Sequence, residues 1–328
     1  MDELQSLYKQ DYPAFIEPYL ASKSMQRLKG VDMNCGLQFT SHTGFSSYGP
    51  YSRYEHSVGV ACIIWRFTHD KKQTLAGLFH DISTRVFSHV IDFVKKDYLV
   101  QESTEDETRQ IILQDSVIMN QLLCDGISVD EVSDYHLYPI ADNDSPRLSS
   151  DRLEYTLGNL LNYRKHTIKE IEKYFNDLVV GISEYGSQEI MFQHPEIAEE
   201  FAFGALSCGI IYSCDFDRYG MEKLACILRK AFEETILTES DLYLTEIEVI
   251  KKLSESCLHD AWNEYTRLQD VTKDFAGDLM VDAKKRYIDP YICKHGRVTT
   301  FSAAFQNAVN EFKNIDYHYL MKGIYRNG

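Results

Sequence analysis

Apolar residues recur at helical spacing in segment after segment of this 328-residue chain, while period-two alternation bounded by turn residues is scarce. That pattern constrains the chain to an all-α or nearly all-α fold. From Thr167, Ile168, Ile171, Phe175, Leu178 and Ile182 form one stripe, and from Gly220, Met221, Leu224, Leu228, Phe232 and Ile236 form another. Pro195 suits the first turn of a helix over 197–212, and Thr245 with Glu248 has capping-box spacing. The length allows one large domain or two small ones, and 44% hydrophobic with 26% charged residues is the balance of a folded globular chain.

A formal net charge of -16 excludes an extended nucleic-acid surface, which needs Lys and Arg to neutralise phosphates, but leaves room for a local basic pocket. The eight cysteines form no C-x-x-C pair, and several lie in apolar stretches, so they read as buried free thiols of a reducing compartment. The N-terminus lacks the basic start and apolar core of a signal peptide, and no apolar run approaches the ~18 residues of a membrane span. The expected protein is soluble and cytoplasmic, without a membrane partner.

Two stretches look loop-like: Asn34–Tyr51, rich in Gly, Ser and Thr, and Asp125–Ser150, with two prolines and many Asp. Each leads into a helix that opens near a residue of interest, His56 in one case and Asp151 in the other. The dipeptide His-Asp occurs three times. His69-Asp70 ends one helix and runs into Lys71-Lys72, which reads as a solvated turn, and His259-Asp260 lies in a mixed surface helix. His80-Asp81 instead closes the apolar helix TLAGLFHD, is followed by ISTRVFSHVIDF, and is preceded by another His at the start of an apolar helix, in SRYEHSVGV.

Taken together, RYEHSVGV, GLFHD, FSHVIDF and SSDRLEY resemble the HD-domain phosphohydrolases. Within them the chain looks most like the deoxynucleoside triphosphate triphosphohydrolase branch, with its R-F/Y-x-H-S segment, HD followed by F-S-H, and later D-K/R-x-x-Y. SMQRLKGV resembles that branch's helix ahead of the first His. The resemblance covers roughly residues 15–165 and implies an HD-domain helical core over 1–165, with 166–328 as a helical C-terminal extension packed on it. It also implies His56, His80, Asp81 and Asp151 as metal ligands. Two imidazoles and two carboxylates leave open coordination positions and suit one divalent transition metal, Mn, Fe, Ni or Zn, with Mg also open. Such an ion activates water and polarises a phosphoryl oxygen, so the implied activity is metal-dependent hydrolysis of a nucleotide or other phosphate ester.

Further roles follow from the same resemblance. Arg53, one turn before His56, would place its planar fork on a phosphate, and His89 would protonate a leaving oxygen. Asp151, Tyr155 and Asn159 share a helix face opposite Leu153, Leu157, Leu160 and Leu161, and Arg152 with Tyr155 would contact substrate phosphates.

The pattern also breaks. Ser83-Thr84 replace the Gly-His that usually follows the HD pair, and a later His is replaced around Asp106-Glu107. Met33-Asn34 stand where Gln-Leu reads the sugar, and the branch's downstream Arg and Tyr-Gln elements have no counterpart. A nucleoside monophosphate or another phosphorylated metabolite is therefore as compatible as a triphosphate. Lys284, Lys285 and Arg286 could supply charge to a ligand, although a solvated basic run is the plainer reading. Two alternatives are a regulatory protein that binds metal and nucleotide without turnover, and an HD-fold di-iron oxygenase, which needs the histidines that are missing. Neither the substrate nor the oligomeric state, a homo-oligomer included, is legible at this level.

Overall fold

The computed structural model describes residues 2–46, 49–95, 107–163 and 165–327. The first helices are α1 (Asp2–Tyr8), α2 (Glu17–Leu20), α3 (Lys23–Arg27) and α4 (Thr43–Ser46), followed by α5 (Arg53–Thr68), α6 (Lys71–Phe79) and α7 (Val90–Val94). Next come α8 (Thr108–Gln114), α9 (Ser116–Asp125), α10 (Ser150–Asn162) and α11 (Ile168–Asn176), then the hairpin β1 (Leu178–Ile182) and β2 (Gln188–Phe192). The remainder holds α12 (Pro195–Ile211), α13 (Asp215–Glu233), α14 (Glu246–Ser254), α15 (His259–Thr266), β3 (Leu268–Lys273), β4 (Tyr291–Ile292), β5 (Gly296–Arg297), α16 (Val298–Phe301), α17 (Ala303–Lys313) and β6 (Met321–Tyr325). The fold is mostly α and HD-like, as expected, with two small sheets added.

Local chemistry sets the helix that carries the first His. Ser52 caps α5 through a capping box in which its hydroxyl accepts from the Glu55 amide and the Glu55 carboxylate accepts from the Ser52 amide. The helix stops at His69, whose φ of 48° is left-handed, and Asp70 immediately caps α6 by accepting from the Lys72 and Gln73 amides. The His69-Asp70 pair is thus the turn between two helices. Gly77 lets α6 lie close on α5, since a Cβ there would fall 2.1 Å from Ile64 Cδ1. Ser149 caps α10 through the Arg152 amide, and Pro195 and the Thr245/Glu248 box open α12 and α14 as their spacing predicts.

Two stripes end earlier than their periodicity suggests. Leu178 and Ile182 lie in β1, paired antiparallel with β2, because Asp177 stops α11 and turns its carboxylate to the Gln193 and His194 amides. Val179, Val180 and Ile182 are β-branched and suit the strand that follows. Ile236 lies beyond α13, which terminates at Glu233 ahead of Thr235 at φ 57°. The first sheet has the order β1-β2-β4-β5, antiparallel except for the β2–β4 pair, and β3 pairs antiparallel with β6.

One contiguous apolar cluster runs from Leu4 to Met321, with a smaller one of Val60, Ile64, Ala76, Tyr135 and Ala141 beside it. The cysteines are all free, but Cys124 and Cys257 are exposed rather than buried. No single helix among the described residues is long and apolar enough to cross a membrane; α12 and α13 meet that test only as a pair bent by 45°.

Candidate metal centre

Three helices deliver the site. His56 lies one turn into α5, His80 follows the last residue of α6, and Asp151 opens α10. The Nε2 atoms of the two histidines are 3.1 Å apart, and Asp151 Oδ1 is 3.0 Å from His56 Nε2 and 3.7 Å from His80 Nε2. Asp81 borders this cluster, with Oδ2 3.5 Å from His80 Nε2 and 3.8 Å from His56 Nε2. Its carboxylate is also gripped from behind by Arg53 Nη1, at 3.0 and 2.9 Å to its two oxygens, and by the Thr84 hydroxyl at 2.7 Å. Thr84 therefore fixes Asp81 at the place where the resembled branch has an imidazole.

The far nitrogens of both rings decide what the near ones can do. His80 Nδ1 lies 2.7 Å from the Gly77 carbonyl, an obligate acceptor, so Nδ1 carries the proton and Nε2 of the neutral ring presents a lone pair. His56 Nδ1 lies 2.5 Å from Glu154 Oε2, which also accepts from the Tyr51 hydroxyl. Two lone pairs 3.1 Å apart beside a carboxylate oxygen repel unless a cation lies among them. Without a metal the proton takes that place. Burial opposes charge on His56, yet its bonds to Asp151 and Glu154 win and raise its pKa to about 10. Asp81 is held well below the usual carboxylate range, because Arg53, His80 and His56 outweigh the cost of its burial. The donor set, two imidazoles with carboxylate oxygens, fits a divalent transition ion, and the Nδ1 contacts are the outer partners such ligands require.

Glu154 is the residue that sequence reasoning missed. It lies three positions after Asp151 on α10, is fully buried, and fits because Gly59 has no side chain; a Cβ there would stand 2.4 Å from Glu154 Oε1. The i, i+3 spacing from Asp151 was the available signal.

A cavity of about 830 Å³ opens over the cluster. Arg53, His89, Arg152 and Tyr155 all line it, so the structure brings the sequence-derived residues together. Their details differ from expectation. The guanidinium of Arg53 is engaged with Asp81 and, through Nε, with the Ser88 hydroxyl at 3.2 Å. His89 Nδ1 bonds the buried Asp92 at 3.0 Å, and burial lowers its pKa against the pull of that carboxylate. The Arg152 guanidinium is engaged within the chain: Nε donates to the Arg147 carbonyl, Nη2 to Asn143, and Nη1 pairs with Asp142 at 3.0 Å. Its fork holds the 142–147 loop, because that loop folds back over the start of α10 with its acceptors turned inward. Tyr155 stands on the cavity wall with its ring 6.5 Å from that of His56, and burial raises its pKa to about 12.

Lys284 and Arg286 line the cavity as well, so this stretch is not simply a solvated run. Gly209 admits it, since a Cβ there would meet the Arg286 carbonyl at 2.2 Å. Met33 and Asn34 also face the cavity. Glu107 does not; it accepts from Arg85 and from the Tyr243 hydroxyl, while Asp106 lies outside the described residues.

The chain is 27% identical to the uncharacterized protein YdhJ of Bacillus subtilis over 94% of its own length and 93% of that protein's. It is 29% identical to the metal-dependent phosphohydrolase cns2 of Cordyceps militaris over 51% of this chain and 46% of that one. No family model matches. A hypothetical protein from Aquifex aeolicus shares the fold, with a TM-score of 0.54 and 19% identity over 80% of this chain and 75% of that one.

Proposed function

We propose that this protein is a phosphohydrolase that cleaves a nucleotide or related phosphate ester, with one divalent transition metal held by His56, His80 and Asp151 and with Asp81 completing the ligand set. The observation that carries the reading is the pair of imidazole Nε2 atoms 3.1 Å apart, each ring having its other nitrogen committed to an acceptor. The similarity to a partial relative named a metal-dependent phosphohydrolase supports it. When bound, the ion supplies Lewis acidity and an activated water.

The chain's own residues supply the rest. Arg53, anchored on Asp81 and Ser88, sets positive charge beside the cluster for a phosphate, and Lys284 and Arg286 add charge on the cavity wall. The Tyr155 hydroxyl donates to a phosphate oxygen. With Nδ1 tied to Asp92, His89 offers Nε2 to the cavity. Burial keeps that ring neutral at rest, so it would take up the proton that the attacking water gives up and pass it to the leaving oxygen.

Elemental analysis of protein purified without chelator should find about one transition metal per chain, as four preorganised N/O ligands imply. His80→Ala and Asp151→Ala should lose both metal and phosphate release, whereas Asp260→Ala, on the exposed start of α15, should keep both. A phosphate-release screen of the loaded protein against nucleoside triphosphates, monophosphates and small esters then reads the substrate. Absence of metal, or full metal content without release from any ester, would sink the reading.

A further inference from the structure

The cavity over the His56–His80–Asp151 cluster also carries buried acceptors that no described residue uses. Asp217, in the first turn of α13, is 7% exposed and lines the cavity, and its Oδ2 has no hydrogen-bond partner among the described residues. Asn34 is 5% exposed and lines the same cavity; its amide nitrogen donates to Asp32 while its Oδ1 is without a partner among the described residues. Leaving such atoms buried and unsatisfied is costly unless a ligand meets them. The two lie close enough that Asp217 acts electrostatically on Cys35, the neighbour of Asn34.

Aromatic rings in mutual contact adjoin both the cluster and Asp217. From the His56 ring the contacts pass to Tyr155 at 6.5 Å, Tyr212 at 6.4 Å, Tyr163 at 6.3 Å and Phe45 at 6.2 Å, and Phe45 stacks at 5.7 Å on Phe216, next to Asp217 in sequence. Tyr155, Tyr212, Tyr163 and Phe45 all face the cavity. A molecule anchored by its phosphate near His56 would thus have these rings and the Asp217 carboxyl around it in one cavity.

Resting on the phosphohydrolase reading, we propose that the substrate's leaving group carries a flat heterocycle with an amino group beside a ring nitrogen, held among the aromatic rings of the cavity with its amino edge on Asp217. Burial raises the Asp217 pKa well above the carboxylate range, with Arg218 and Arg286 opposing. A protonated carboxyl there both donates and accepts, which matches an amino N–H next to a ring-nitrogen lone pair. Packing among aromatic rings is tolerant of ring type, so the edge supplies the selectivity.

The test uses unphosphorylated probes, so that binding is read apart from hydrolysis. Adenosine carries the amino edge, and purine riboside is the same molecule with hydrogen in place of the amine. Isothermal titration of the metal-loaded protein should find adenosine bound about 10–100-fold more tightly, the range for one hydrogen bond to a charged or strongly polar buried group. Asp217→Leu, which removes a buried unpartnered carboxyl and should melt no lower than wild type, should erase the preference. Asp217→Asn, whose amide also donates and accepts, should keep most of it. Equal binding of both nucleosides, no binding of either, or a preference that survives Asp217→Leu would overturn the assignment. If the preference holds and no nucleotide is hydrolysed, the hydrolase reading fails and the pocket assignment stands. If nucleotides are hydrolysed without regard to the amine, the reverse is true.

Discussion

Glu154 shows how one buried carboxylate governs a site it does not touch directly. By accepting from His56 Nδ1 it sets the ring's orientation and tautomer, and the Tyr51 hydroxyl on the same oxygen keeps it in place. Such outer partners typically change metal affinity by about 10–100-fold. Glu154→Gln should therefore weaken metal binding by about that factor in a chelator competition. Gly59→Ala should act in the same direction by pushing on Glu154 Oε1; unchanged affinity in both variants would reduce Glu154 to packing. His89→Ala, in contrast, should keep its metal and lose turnover by about 10²–10⁴-fold, with less loss on p-nitrophenyl phosphate, whose leaving group needs little protonation. Loss of metal from that variant would make His89 a ligand. At this scale the sequence was informative where a residue closes or opens an apolar helix, as His56, His80 and Asp151 do. It was silent on the partners of Arg152, which sit in a loop that no periodicity describes.

The helix between two of the His-Asp pairs, α6, gives them opposite jobs. At its start Asp70 accepts from two amides that have no partner within the helix, and at its end His80 reaches the metal cluster. Asp70→Ala should cost about 1 kcal/mol of unfolding free energy, as loss of an N-cap typically does, while metal content stays at the wild-type level. A variant that kept its stability and lost its metal would mean that the roles were exchanged. Identical dipeptides are told apart by which side of an apolar stripe they occupy, and this is why the helix pattern singled out His80-Asp81. The same pattern overran at β1. Leu178 and Ile182 continue the phase of α11, and what ends the helix is Asp177 finding the amides of Gln193 and His194, partners on the far side of a hairpin. A stop made by a distant contact leaves no local mark.

Across the whole molecule the two halves of the chain complete each other's core. Leu37 reaches the site where a Cβ on Gly220 would collide at 2.6 Å, and Leu224 does the same at Gly36, at 2.5 Å. Backbone groups are shared too: the Val86 amide donates to the Leu242 carbonyl at 2.8 Å, the Ser41 amide to Leu268 at 2.9 Å, and the Tyr265 hydroxyl to the Gly36 carbonyl at 3.1 Å. Glu246 on α14 accepts from the Asp32 amide and the Gln38 side chain, so the loop that brings Met33 and Asn34 to the cavity is held by the second half. None of this is readable from periodicity, which marks the apolar faces but not their partners. The contiguous cluster predicts one cooperative unit rather than a core with an appended extension. The chain has two tryptophans, Trp65 on α5 and Trp262 on α15, one in each half. Trp262→Phe leaves a fluorophore that reports the first half, and Trp65→Phe one that reports the second. In urea, each variant should give a fluorescence midpoint that coincides with its own far-ultraviolet circular dichroism midpoint, and a fragment of residues 1–165 should lack a cooperative transition, because its apolar faces toward α13 and α15 would be open to water. Separate midpoints for the two fluorophores relative to circular dichroism, or a cooperatively folding fragment that still binds metal, would show instead that the site rests on an autonomous N-terminal domain.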